Sequence, residues 1–333
     1  MPKKPPKRGP SATPPPPDDE LAPAAAWPGG GMVASEQGFA KMDRFLAGQE
    51  FSSIEEMNAA LQRFVAEGQF TDLPPLTPLD QAQELIWQAA EAAPRERLKL
   101  TQQALAICPD CADAYTMQAE LAPSLPAARD LYLAAVAAAE RALGPEIFTT
   151  HAGHFWGVTQ TRPYMRARAG LAQVLWVLGE RPAAIAHYQD LIRLNPNDNQ
   201  GLRYDLARWL MLTNDTAGFS TLMNQYDDAG ADWLYTKALW LFRTKARAKA
   251  TRALKDALAA NAFVPAYLLG AKALPRTMPQ YVGMGDVNEA VSYVAAATEE
   301  WDSTPGAIEW LVKGMALALA DAATREQRAW YGR

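Results

Sequence analysis

An all-α protein is predicted by three observations. From Pro78 onward the chain is rich in Ala, Leu, Glu, Gln and Arg, which are strong helix formers. Apolar residues recur three and four positions apart, the spacing of one helix face. Strict period-two alternation, the mark of a half-buried strand, is absent. A unit of helix-pair length also recurs in outline, so the predicted architecture is a helical-repeat solenoid behind a disordered proline-rich N-terminal tail.

The tail is residues 1–34. Ten prolines fall within its first 28 residues. They remove backbone donors and fix φ, and the few apolar residues nearby cannot offset the entropy of ordering the segment. Lys3, Lys4, Lys7 and Arg8 make it basic, but no apolar run follows them, so the sequence does not read as a secretory signal. Residues 35–76 form a helical lead-in and linker. "MDRFLAGQEF" and "SIEEMNAALQRFVAEGQF" have helical spacing, and Ser53 with Glu56 has the pattern of a capping box. "TDLPPLTPLD" interrupts the pattern. Thr77 then caps a new helix, with Pro78 in its first position where a missing N–H costs nothing.

The repeat array is predicted over residues 78–274. Its clearest unit is "MRARAGLAQVLWVLGERPAAIAHYQDLIRLNPND", Met165 to Asp198, 34 residues long. Leu171, Ala172 and Leu175 line the inner side of its first helix, and Gly179 is placed to end that helix in a left-handed conformation. Ala184, Tyr188 and Leu191 form a small–aromatic–apolar stripe on its second helix, and Pro196 stops the unit. "LKLTQQALAICPDCADAYTMQAELA" carries the second helix of one unit and the first of the next, with Pro109 at the boundary and Tyr115 near the start of the latter. "LPAARDLYLAAVAAAERALG" repeats the stripe as Ala128, Tyr132 and Ala135. "LYTKALWLFRTKARAKATRALKDALAANAFVPAY" aligns with Ala238, Ala250, Leu254 and Ala257 on the inner positions. "GLRYDLARWLMLTNDTAGFSTLMNQYDDA" departs from the ruler, because Phe219 stands where a small residue belongs. Residues 275–333 read as a loop and two helices, the second capped by Thr304 before Pro305, and form the predicted C-terminal cap of the array.

The Met165 unit resembles a tetratricopeptide repeat, and the resemblance extends from about Pro78 to Leu274. The segments "PDCADAY", "GHFWG", "TRPYMRA", "LNPNDNQG" and "VPAYLLG" are also similar to a group of repeat proteins loosely related to the suppressor-of-tumorigenicity family. The resemblance implies a scaffold fold, and the expected function is binding of a protein or peptide in the concave groove formed by successive first helices. In the register of the Met165 unit, Arg166, Gln173 and Trp176 face that groove. Tyr204 and Arg208 face it from the next unit, and Tyr235 and Phe242 from the one after. "TRPYMRA" adds Arg162 and Tyr164 at the entrance. Arginine beside aromatic faces is the pairing enriched at protein-binding hot spots. Asp205 and Asp232 stand where chaperone-binding relatives carry a basic or amide clamp, which argues against a chaperone C-terminal tail as the ligand.

Composition narrows the function. The chain is 49% apolar with a net charge of −5, which disfavours nucleic-acid binding through bulk electrostatics. No apolar run reaches membrane-spanning length, and no partnership with a membrane is expected. Two cysteines provide no disulfide framework, so the expected location is cytoplasmic. A competing reading places a metal or catalytic centre at His151 and His154 in "HAGHFWG", with Cys108 and Cys111 of "CPDC" as further ligands. Glycines make the histidine stretch a loop, and Pro109 interrupts the cysteine pair. Neither a nucleophile elbow nor a phosphate-binding loop is present. The expectation is therefore a non-catalytic protein without cofactor or metal.

Overall fold

A computed structural model describes residues 30–67 and 73–331, and side chains within 35–64 and 73–320. Most of the predicted disordered tail lies outside the described residues. Every regular element among the described residues is helical, and none is a strand. The chain divides into two compact units, one ending at Asn199 and one beginning at Gln200.

The first unit opens with α1 (Gly30–Ala47) and α2 (Ile54–Glu67), so helix begins a few residues before the predicted boundary at Ser35. The Ser53 hydroxyl accepts the Glu56 N–H at 3.1 Å, while the Glu56 carboxylate accepts the N–H of Ser52, 2.8 Å away. The predicted capping box thus closes one residue earlier than expected. Three helical hairpins follow: α3 (Pro78–Glu91) with α4 (Pro94–Ile107), α5 (Ala112–Glu120) with α6 (Leu125–Leu143), and α8 (Arg162–Val177) with α9 (Arg181–Leu194). Thr77 caps α3 in a full reciprocal box with Asp80. The first helices of the hairpins neighbour one another, α3 against α5 and α5 against α8, and each second helix meets the next first helix. Small residues permit this. Ala128, Ala135 and Ala184 are buried, with Tyr132 and Tyr188 packed beside them. Closest in this unit is Gly170 on α8, where an added Cβ would lie 2.3 Å from the Tyr132 ring.

Between the second and third hairpins the chain inserts α7 (Ile147–Thr150) and two 3-10 turns, Phe155–Gly157 and Thr159–Thr161. Phe155 anchors this insertion by complete burial against Phe148 and Tyr164.

The second unit contains the hairpins α10 (Leu202–Leu212) with α11 (Thr216–Gln225) and α12 (Ala231–Arg243) with α13 (Arg247–Ala260). The short α14 (Val264–Leu268), then α15 (Val287–Asp302) and α16 (Ala307–Tyr331), complete it. The mismatch at Phe219 is accommodated, because its ring is buried and stacks on Trp240 at a centroid distance of 4.7 Å. Thr304 does not cap α16 as predicted. Its hydroxyl points back to donate to the Glu300 carbonyl, while its own carbonyl accepts the Ala307 N–H.

One device recurs in both units. Helix α8 ends with Gly179 at φ +84°, where the Gly179 N–H bonds the Trp176 carbonyl and the Glu180 N–H bonds that of Leu175. Helix α10 ends in the same way at Asn214 and α12 at Lys245, each with positive φ and the same pair of closing bonds. This is the Schellman closure. It satisfies the last carbonyls of the first helix and turns the chain into the second.

Candidate partner-binding site

The predicted groove residues divide between the two units, and the structure gives them unequal roles. Arg166 lies deep in the first unit. Its Nε and Nη2 meet Oδ1 and Oδ2 of Asp113 on α5 at 3.0 and 2.7 Å, and its Nη1 meets Oε1 of Glu36 on α1 at 2.7 Å. Asp113 is fully buried and also accepts a bond from Gln83 on α3. Arg162 shares Glu36, donates to the Trp156 carbonyl at 3.0 Å, and lies over the rings of Phe39 and Trp156. Two of the expected anchors are therefore engaged by the protein's own α1 and α5. They fasten the lead-in helix to the hairpins.

Beneath α1, a cavity of about 380 Å³ is lined by Trp87, Pro74, Leu143 and Pro163 together with Glu36 and Arg166. Tyr164 is buried against Phe148 and Phe155, and its hydroxyl accepts a bond from Arg168. Gln173 is half-buried. Trp176 is half-buried too, with the Arg181 guanidinium over its ring at 4.7 Å. One neighbouring network escaped the sequence reading. Arg168 joins Tyr164, His187 and Asp190 across α8 and α9, donating to the His187 Nδ1 at 2.9 Å. Burial, reinforced by the Arg168 charge, holds the His187 pKa below its usual value.

In the second unit Arg208 is buried and paired with Asp205 and Asp232. Tyr235 has no exposed surface, and its hydroxyl donates to the Asn261 carbonyl at 2.7 Å. Of the residues expected at the groove, Tyr164, Arg208 and Tyr235 are buried and the Arg166 side chain is 9% exposed. An arginine of a repeat proves to be the internal partner of acids in the same unit, and the tyrosines complete the helix–helix core. Tyr204 is half-buried, donates to Asp228 at 2.6 Å and lies under Arg203. Phe242 is half-buried, stacks on Trp310 at 4.6 Å and lines a cleft at the end of α12.

The histidine loop is exposed. The His151 Nδ1 lies 2.9 Å from the neighbouring Thr150 hydroxyl, and His154 precedes the first 3-10 turn. Among the described residues no three His, Cys, Asp or Glu side chains converge to hold a metal. Cys111 is buried. That burial, with Asp113 nearby, pushes its thiol up to about 12, far from the thiolate a metal needs.

A further surface lies in the segment the sequence assigned to the cap. Residues 269–286 link α14 to α15 without regular structure, and hydrogen bonds hold their last part, from Tyr281 onward. The Tyr281 carbonyl accepts from Asn288 at 2.9 Å, the Gly283 N–H meets Asp286 at 3.0 Å, and the Gly285 N–H meets Glu289 at 2.7 Å. From this fixed loop Tyr281 is 72% and Met284 76% exposed, with Met278 and Val282 about half exposed beside them in sequence. The signal in "MPQYVGMG" was the placing of apolar side chains in a stretch without helical spacing. Among the described residues, no helix is long and apolar enough to cross a membrane.

No family model matches the chain, and no solved structure matches it. It is 26% identical over 302 aligned residues to the proteins named suppressor of tumorigenicity 7 protein-like of Rattus norvegicus and Mus musculus. Each alignment covers 80% of this chain and 52% of the relative, so the chain spans about half the length of the curated relatives it matches.

Proposed function

We propose that this chain is a non-catalytic scaffold of tetratricopeptide-like hairpins that binds a protein partner. The observation that carries the reading is the ordered apolar loop. Hydrogen bonds fix residues 281–289 while Tyr281, Val282 and Met284 remain in water. Exposed apolar side chains grouped on a fixed frame mark surfaces that partners cover, and a loop already ordered loses little entropy on docking. The recurrent closure at Gly179, Asn214 and Lys245 supports the repeat assignment, as do the buried Ala–Tyr stripes of α6 and α9. Trp176 and Gln173 in the first unit and Tyr204 in the second keep partial exposure, and Tyr204 remains within the proposal as an additional contact.

The test is quantitative affinity capture with the tagged full chain. Tyr281→Asp with Met284→Asp should deplete the captured partner while leaving the melting temperature within about a degree, because exposed positions contribute little to stability. An outer-helix control, Lys255→Ala, should capture normally. Equal capture by all three proteins rejects the loop as the docking surface.

A further inference from the structure

The three Schellman turns differ in charge at one place. After α8 the second helix begins behind Glu180, and after α10 behind Asp215, whose carboxylate accepts the Gly218 N–H at 2.8 Å. Acids there complement the positive end of the helix. After α12 the corresponding residue is Ala246, which makes no side-chain cap, and cations surround it: Lys245 in the turn, then Arg247 and Lys249 in the first turn of α13. No acid occupies that first turn. Like charges thus crowd the positive end of a helix, in a chain that is acidic overall. This arrangement opposes stability and calls for a reason outside the fold.

Two of these cations, Lys245 and Arg247, face a cleft. A cavity of about 470 Å³ lies among the ends of α10 and α12 and the turn from α15 to α16. Arg243, Lys245 and Arg247 line it against a single carboxylate, Asp215. Arg243 is held in place, donating from Nη2 to the Asn214 side chain at 2.7 Å and from Nη1 to the Thr304 hydroxyl at 3.2 Å. Those two bonds leave most of its five N–H donors available. Lys245 and Arg247 are exposed, and neither makes an ion pair among the described residues. The remaining wall is part polar, from Asn214, Thr216, Thr244, Ser303 and Thr304, and part apolar and aromatic, from Leu210, Met211, Trp240 and Phe242.

We infer that this cleft binds an acidic peptide segment, with its carboxylates on Arg243, Lys245 and Arg247 and an apolar side chain against Phe242 and Trp240. A fixed guanidinium beside two mobile cations suits several carboxylates spaced along an extended chain. The apolar wall adds what a small inorganic anion cannot use. The site is separate from the loop at Tyr281, and it is tested separately.

The full chain is used to select short random peptides by display, and selected peptides are measured by fluorescence anisotropy. Enriched sequences should be acidic with at least one large apolar residue, and their affinity should fall as salt rises. The double variant Lys245→Glu, Arg247→Glu should bind them about tenfold more weakly or worse, whereas Lys237→Glu, an exposed cation elsewhere on α12, should bind as the wild type does. Phosphorylated peptides enriched in place of Asp- and Glu-rich ones would show that phosphate is the preferred anion and overturn the assignment to carboxylates. Absence of acidic enrichment, undiminished binding by the double variant, or full competition by inorganic phosphate would overturn the peptide site itself. Loss of partner capture through Tyr281 and Met284 with the cleft unaffected bears only on the proposed function.

Discussion

Gly170→Ala reverses the sign expected of a helical glycine. In an open helix position the substitution stabilises by up to about 1 kcal/mol, because alanine loses less backbone entropy on folding. At Gly170 the new Cβ would stand 2.3 Å from Cε1 and 2.4 Å from Cζ of Tyr132. Carbon atoms in contact prefer separations of about 3.5–4.0 Å, so the ring or the helix must move by more than about 1 Å. The Tyr132 ring is 2% exposed, with buried alanines along its own helix, and has little room to yield. Overpacking of this kind costs about 1–3 kcal/mol, which exceeds the propensity gain. Urea denaturation should therefore give a net loss of roughly 1–2 kcal/mol. Tyr132→Leu removes the atoms in conflict, so adding Gly170→Ala to that background should cost less than it does in the wild type. A stabilised Gly170→Ala protein, or strict additivity of the two substitutions, would refute the close approach of α6 and α8.

Further expectations concern other contacts. Ala184→Leu adds methylenes at a fully buried position of α9 and should lower stability by about 1–3 kcal/mol, seen as a reduced urea midpoint; an unchanged midpoint would disprove the register of the clearest repeat. Arg208→Ala leaves Asp232 facing Asp205 without its cation and should cost roughly 3 kcal/mol; a loss under about 0.5 kcal/mol would place Arg208 in the class of surface residues. Burial pushes Glu300, which is 2% exposed, up to about 7 from an ordinary 4.5, and Glu120 likewise to about 7. The folded state thus holds more protons than the unfolded state between those values, so stability is highest below about pH 4.5 with respect to these groups and falls as pH rises through 7. For Glu300 the full titration is worth roughly 3 kcal/mol. Melting curves at pH 5 and pH 8 should show the drop, and Glu300→Gln should reduce it; an identical pH dependence in that variant would remove Glu300 as a cause.

The helices were legible because local chemistry and tertiary packing agree. Thr77 with Pro78, the Ala184–Tyr188–Leu191 stripe and Gly179 each specify a local conformation that the packed hairpins also require. The closures at Asn214 and Lys245 were harder to foresee, since residues other than glycine adopt the left-handed conformation there. Phe219 looked like a flaw against the repeat ruler, yet Trp240, on a different hairpin, supplies its stacking partner. The site was read less well for a related reason. Helical spacing assigns Arg166 and Arg208 to a face, but it does not say whether an acid lies opposite. Glu36 is 130 residues from Arg166 in sequence, and Asp113 is 53 residues away. The cationic turn of α13 was visible as "RTKARAK". Its meaning needed comparison with the other two turns in three dimensions.

Hydrogen exchange of the full chain, alone and with its captured partner, tests the central proposal most directly. Protection on binding should concentrate at segment 278–284, where Tyr281 and Met284 leave the solvent, and the core amides of α8 and α9 should exchange as they do in the free protein. Unchanged exchange at that segment, with protection confined to other surfaces, would contradict the assignment of the partner to the apolar loop.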